Sequence, residues 1–312
     1  LVSNDLSLRC FDELALALTT NQRLVKLYLN HNQLKDLDVI KLCSALKEPQ
    51  CRLQVLHLSH NQITSNSCQA MVSVLTQSQA LSWLNLTHNK IGNSGVKILC
   101  RALKDQDCKL QKLSLKHNNL TYDSCEELAS ALKENCGLLD LDISANKITD
   151  LGVGFLCQVL KNSNSKIQCL RFSLNNLSAK CCQDLAAILV ELRTINGLHL
   201  NFNTLGDSGV KYLCAALKDR DAGMEELSLK SNYLTDECCG DLVSALCVKS
   251  TLKYLDLSFN GLTDKSLDHF HRLVLSCASL EEITLQANCF SSEGCKALEE
   301  LRKTRPKLQV FF

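Results

Sequence analysis

The chain has 312 residues, 46% of them apolar, with 34 basic residues against 33 acidic and a net charge of +1. That balance offers nucleic acid or an anionic membrane surface no concentrated basic field, and no stretch approaches the roughly 18 apolar residues of a membrane span. Nineteen cysteines, an odd number in a chain rich in apolar residues, point to small buried thiols in a reducing compartment rather than to a disulfide-stapled secreted domain.

The chain opens on Leu1-Val2-Ser3-Asn4, which reads as the tail of a strand. The first full copy of the pattern L-x-x-L-x-L-x-x-N-x-L follows as Leu24, Leu27, Leu29, Asn32 and Leu34, and the second as Leu53, Leu56, Leu58, Asn61 and Ile63. The last full copy is Leu280, Ile283, Leu285, Asn288 and Phe290, after which Leu308–Phe311 begins another strand. About ten full repeats in a single domain, 1–312, are expected, cut mid-repeat at both ends. The asparagines form one series: Asn4, Asn32, Asn61, Asn89, Asn118, Asn146, Asn175, Asn203, Asn232, Asn260 and Asn288.

Within a repeat, residues such as Leu27 and Leu29 alternate as the buried face of a short strand. The chain must then turn inside a tightly stacked coil, and a side-chain amide can both donate to and accept from the backbone groups buried there. A structural asparagine ladder is therefore expected. A helix follows each turn: Cys125, Leu128 and Leu132 share a stripe in one repeat, with Asp123 or Ser124 as N-cap, and Val96, Leu99, Cys100 and Leu103 share one in another. The repeats that follow Asn61, Asn118, Asn175 and Asn232 are the shorter kind and carry a cysteine seven positions after the asparagine, at Cys68, Cys125, Cys182 and Cys239. Those that follow Asn32, Asn89, Asn146 and Asn203 are longer by one position and carry it eleven after, at Cys43, Cys100, Cys157 and Cys214. Each cysteine series recurs on every second repeat, so the unit is a pair of repeats. The alternation breaks between Asn260 and Asn288, where the interval is the shorter one again and His271 stands in the cysteine position.

Alternating 28- and 29-residue repeats with cysteine-bearing helices resemble the ribonuclease-inhibitor subclass of leucine-rich repeats, also the C-terminal domain of the cytosolic NLR proteins. Phrases such as Gly95-Val96-Lys97-Ile98-Leu99-Cys100 and Leu128-Ala129-Ser130-Ala131-Leu132 are most similar to the pyrin-containing branch. The resemblance implies an α/β leucine-rich-repeat solenoid, a horseshoe with its parallel sheet on the concave side and helices on the convex side. It further implies a cytoplasmic, non-catalytic module that contacts ligands, a protein partner or the NACHT-type domain of its own polypeptide.

On such a wall the residues flanking the inward leucines face the partner. The candidates are the aromatic group Tyr28, His57 and Trp83 with Asn85, the charge step Lys112, Lys116, Asp140, Asp142 and Arg171, and Tyr254 with Asp256. Aromatic anchors are what interface hot spots are built from. The charges are expected to neutralise one another across adjacent rungs. His31, His60, His88 and His117, each just before a ladder asparagine, form a further column, read as strand-exit residues rather than a metal or pH device.

No metal or cofactor is expected. There is no C-x-x-C, the adjacent pairs Cys181–Cys182 and Cys238–Cys239 are expected to point apart, and no phosphate loop or hydrolase motif occurs. Two alternatives stay open. A ribonuclease inhibitor should be strongly acidic to match a basic ribonuclease. An extracellular module would use the sequons at Asn85, Asn119 and Asn176, which the repeat consensus generates by itself.

Overall fold

A computed structural model describes all residues except 5, 7–9, 22, 135, 136, 162, 164, 220–222, 249 and 250, together with the backbone but not the side chain of residue 219. Two units are distinguished, Leu1–Ile148 with Ser163–Ile167, and Thr149–Asn162 with Gln168–Phe312.

In the first unit strand and helix alternate: α1 (Cys10–Thr20), β1 (Lys26–Tyr28), α2 (Asp36–Leu46), β2 (Val55–His57), α3 (Cys68–Gln77), β3 (Trp83–Asn85), α4 (Gly92–Leu103), β4 (Lys112–Ser114), α5 (Asp123–Glu134) and β5 (Asp140–Asp142). The second continues with α6 (Thr149–Leu160), β6 (Cys169–Arg171), α7 (Cys181–Glu191), β7 (Gly197–His199), α8 (Gly206–Asp219), β8 (Glu226–Ser228) and α9 (Cys239–Val248). It closes with β9 (Tyr254–Asp256), α10 (Leu267–Ser276), β10 (Glu282–Thr284), α11 (Ser292–Thr304) and β11 (Gln309–Phe311). Within each unit every strand is parallel to the one before it, in sequence order, with residues matched at the spacing of the repeat. This is the architecture of a leucine-rich-repeat solenoid.

Each strand is only three residues long, and its central residue is buried in every case: Leu27, Leu56, Leu84, Leu113 and Leu141, then Leu170, Leu198, Leu227, Leu255, Ile283 and Val310. These side chains meet the apolar stripes of the helices; Leu56 and Leu84, for instance, pack with Val39 and Leu42 of α2 and Val74 and Leu75 of α3. Cys125, Leu128 and Leu132, and Val96, Leu99, Cys100 and Leu103, are all buried. Asp123 and Ser124 both lie inside α5 rather than capping it. The Thr121 hydroxyl, two residues earlier, faces the Asp123 N–H at 3.4 Å.

The strands end because the next residue but two takes a positive φ. His31, His60, His88, His117, Ala145, Leu174, Phe202, Ser231, Phe259 and Ala287 all sit between 52° and 57°, a left-handed conformation that turns the chain out of the sheet without glycine. The ladder asparagine comes immediately afterwards. Asn61 Oδ1 accepts from the backbone N–H of Asn32 and Leu34 (3.1 and 3.0 Å), while its Nδ2 donates to the carbonyls of Leu29 and Leu58 (3.1 and 2.9 Å). Asn203 repeats this with Asn175, Leu177, Phe172 and Leu200. The rungs thus join side-chain amide to the backbone of the preceding repeat, not amide to amide. Asn32 through Asn260 are buried, Asn288 is half-buried and Asn4 is exposed.

A second ladder runs along the helix starts. Asp36 accepts from both the backbone N–H and the hydroxyl of Thr64 (2.8 and 2.6 Å), Asp150 does the same with Ser178, and Asp207 with Thr235. Asn93 and Thr121 form the amide version. Where the repeat alternation breaks, the pairing continues on the next two repeats without a gap, Asp236 with Thr263 and Asp264 with Ser291.

Every described cysteine is a free thiol, and most are buried; Cys136 lies outside the described residues. Burial pushes the thiols of Cys43, Cys68, Cys100, Cys125 and Cys214 up to about 12, so they pack as small apolar groups. The adjacent pairs do not point apart as expected. The Cys182 thiol beside it, with burial, raises Cys181, and Cys239 does the same to Cys238. The reason is local: three of the four thiols bend back to a carbonyl at the helix start, Cys181 to Ser178 at 3.2 Å, and both Cys238 and Cys239 to Thr235 at 3.4 and 3.8 Å.

Candidate protein-recognition face

The three-residue strands leave their first and third side chains on the sheet face turned away from the helices. In the first unit this brings Tyr28, His57, Trp83 and Lys112 into one chain of contacts across β1 to β4. The Tyr28 and His57 rings meet edge-on with centroids 4.8 Å apart, and His57 meets Trp83 edge-on at 4.5 Å. The Lys112 ammonium lies 5.5 Å from the Trp83 ring centroid, within cation–π range. Val55, outward by register, is nevertheless only 7% exposed, whereas Tyr28 remains 38% exposed. Burial lowers the His57 pKa, and its Nε2 is buried without a hydrogen-bond partner. The imidazole is therefore held neutral between two aromatic rings, and the cluster is apolar at its centre with a cation at one end.

Asn85 folds its Oδ1 back onto the Thr87 N–H at 2.9 Å. The expected pairing of Lys112 with Asp140 does not take the form of a direct ion pair. Although they stand opposite in the register, no ion pair joins them among the described residues, because the Lys112 side chain lies over Trp83 instead. Asp142 accepts from the Ser144 N–H and from the Ser114 hydroxyl (2.9 and 3.2 Å), and Lys116 is exposed.

Beside this face the four histidines of the strand exits stack as a column. Ring centroids are 4.1, 4.1 and 4.0 Å apart from His31 through His60 and His88 to His117, with interplanar angles of 13–18°. Burial, then the neighbouring histidines and Lys116, lower the pKa of His60 and His88.

In the second unit Arg171, His199 and Glu226 share one nitrogen: His199 Nε2 lies 2.7 Å from Arg171 Nη1 and 3.0 Å from Glu226 Oε2. Tyr254 donates to Asp256 (3.4 Å), which is buried and also accepts from the Ser258 N–H and hydroxyl. Burial and then Asp256 push the Tyr254 hydroxyl up to about 12, so it stays protonated. Lys230 lies over the exposed rings of Phe202 and Phe259, at 5.5 and 4.6 Å from their centroids. Sequence reasoning did not single out this clamp. Its only signal is an aromatic residue in the strand-exit position of two alternate repeats, with a lysine on the repeat between.

Six segments of the chain, 51–72, 79–100, 106–129, 134–157, 191–214 and 248–268, match the Leucine Rich repeat family model. Along 96% of its length the chain is 33% identical to human NACHT, LRR and PYD domains-containing protein 5. It is 34% identical over 95% of its length to protein 3 of that series from Bos taurus, and 34% over 96% to human protein 12. It is a leucine-rich-repeat chain related to the NACHT, LRR and PYD domains-containing proteins. It spans 25% to 29% of the length of these relatives. Among solved structures, the actin-binding site 2 of leiomodin-1 overlays 43% of this chain and 78% of its own at a TM-score of 0.38 and 20% identity, a likeness too low to bear on function. No helix among the described residues is long and apolar enough to cross a membrane.

Proposed function

We propose that these repeats are a non-catalytic, cytoplasmic protein-recognition module. Its partner is another protein or a NACHT-type domain of the same polypeptide, and its role in such a protein is ligand sensing or restraint of that domain. The observation that carries this is the Tyr28–His57–Trp83–Lys112 cluster, a pre-packed aromatic anchor set on a sheet face. Aromatic groups held in one geometry by their neighbours lose little entropy on binding, and such groups dominate interface energies. A small molecule would need an enclosed pocket, which an open sheet face does not provide. The reading calls for no organic cofactor, and the charge balance gives nucleic acid no footing.

The test is binding of this chain to the isolated NACHT domain of a relative such as human NACHT, LRR and PYD domains-containing protein 3, by biolayer interferometry. Trp83→Ala is expected to weaken binding by about 2 kcal/mol, or roughly 30-fold, and Tyr28→Ala by about tenfold. Wild-type affinity in both variants would remove the aromatic cluster from the interface. Absence of binding by wild type would remove the intramolecular partner.

A further inference from the structure

Three consecutive strands of the second unit place donors of three kinds together. Cys169 opens β6, His199 closes β7 and Glu226 opens β8. The Cys169 Sγ, a ring nitrogen of His199 and a carboxylate oxygen of Glu226 all lie within 4.8 Å of one another, the one such group among the described residues. The register explains the gathering. Cys169, Gly197 and Glu226 stand side by side, and Gly197, without a side chain, leaves the space between the other two open to His199. A Cβ at Gly197 would come within 2.9 Å of the Cys169 Sγ, so the gap exists only with glycine there. Cys169 is buried, while His199 and Glu226 are half-buried, so the cluster is walled below and open above.

Without an ion, His199 Nε2 is in conflict. It lies within hydrogen-bond distance of a guanidinium, which can only donate, and of a carboxylate, which can only accept; one nitrogen satisfies one of them. A divalent cation resolves this by taking the nitrogen lone pair and the carboxylate together. Tetrahedral zinc, with bonds of about 2.0–2.3 Å, sets its ligand atoms about 3.3–3.8 Å apart, against at most 4.8 Å here, with His199 Nε2 and Glu226 Oε2 already at 3.0 Å. Thiolate, imidazole and carboxylate are the donor set that zinc accepts.

We propose that Cys169, His199 and Glu226 form a zinc-type divalent-cation site with a fourth position open to water or to a partner's side chain. On binding, the Cys169 thiol releases its proton to solvent and its thiolate bonds the metal; no electron is transferred. Arg171 is the group displaced from His199. The absence of any C-x-x-C hid the site, because its donors stand on three separate repeats rather than within one short segment. The proposal does not depend on the aromatic cluster of the first unit, and the two fail separately.

The test is titration of the reduced, metal-free chain with Co2+, followed by Zn2+. One equivalent of Co2+ is expected to give a thiolate-to-metal charge-transfer band and the visible bands of a four-coordinate ion, both bleached by one equivalent of Zn2+. Cys169→Ser, which keeps the side chain's size, should abolish the charge-transfer band. His199→Ala and Glu226→Ala should weaken Co2+ binding at least tenfold, and Arg171→Ala should bind no more weakly than wild type; circular dichroism checks that each variant is folded. A charge-transfer band surviving in folded Cys169→Ser, no band with wild type at millimolar Co2+, or a loss in Arg171→Ala equal to that in His199→Ala would each overturn the proposal.

Discussion

Asn118 shows what a single side chain does in this fold. It is fully buried, its Oδ1 accepts from the Ile91 N–H, and its Nδ2 donates to the carbonyls of Leu86 and Lys116. Removing the amide strands buried backbone groups at about 1–3 kcal/mol each. Asn118→Ala is therefore expected to lower stability by about 3 kcal/mol in urea denaturation, whereas Asn4→Ala, at an exposed position, should change it by less than about 0.5 kcal/mol. Equal effects would mean that burial is not what makes the amide matter. The asparagine column could be read from the sequence because every repeat uses the same residue. The Asp36–Thr64 ladder could not: its first member is Asp in some repeats and Asn93 in another, and its partner is Thr or Ser a repeat away. Polar residues at a helix start look like ordinary caps until the neighbouring coil is in place.

Between elements, the alternation of the cysteines acquires a cause. Gly95 on α4 faces Cys68 on α3, and Gly209 on α8 faces Cys182 on α7; a Cβ on either glycine would come within 3.0 Å of the thiol. At both places a cysteine at the start of one helix is matched by a glycine on the next, so these helix starts approach closely. Alanine is the better helix former by about 1 kcal/mol, yet Gly95→Ala should destabilise by about 1–3 kcal/mol, because its Cβ would also meet the Ile91 Cγ2 at 2.6 Å. Gly154 gives the opposite case. Its nearest neighbour is an Asp184 carboxylate oxygen at 3.4 Å, so Gly154→Ala should raise the thermal midpoint. A melting point that moves the same way in both variants would refute the packing argument. Strands and helices were legible here because apolar spacing reports them directly. The caps and the thiol directions were not, since Thr121 answers to a backbone N–H two residues on and the bent cysteines to carbonyls three or four residues back, rather than to a periodic pattern.

At the scale of many repeats, the histidine column spans four coils of the first unit. The rings stack at about 4 Å, and burial, then the neighbouring histidines and Lys116, hold His60 and His88 below the ordinary pKa of 6.5. The unfolded chain binds more protons there than the folded one, so stability falls as pH drops through and below that value. Urea midpoints measured from pH 7.5 to pH 5 should decline. The double variant His60→Gln, His88→Gln should show a shallower decline, and an unchanged slope would exclude the column as its source. The column was visible in the sequence, with the imidazoles of adjacent rungs within reach of one another, but not their face-to-face stacking, because the left-handed turn that aims each ring is set by the backbone. The Trp83–Lys112 contact escaped for a related reason: register placed Lys112 beside both an acid and an indole, and only the side-chain path decides between them.

The cysteine–glycine match also restricts how such a chain can change length. Excising residues 62–118 removes one whole pair of repeats and rejoins α2 to a helix of the kind it faced before, so the shortened chain is expected to fold and melt cooperatively. Excising 62–89 alone sets two helices of the longer kind together, glycine to no thiol, and is expected to lower the thermal midpoint relative to excision of the pair. Lengthening such a chain by a whole pair of repeats keeps each thiol opposite the glycine it meets, and lengthening it by a single repeat leaves one unmatched.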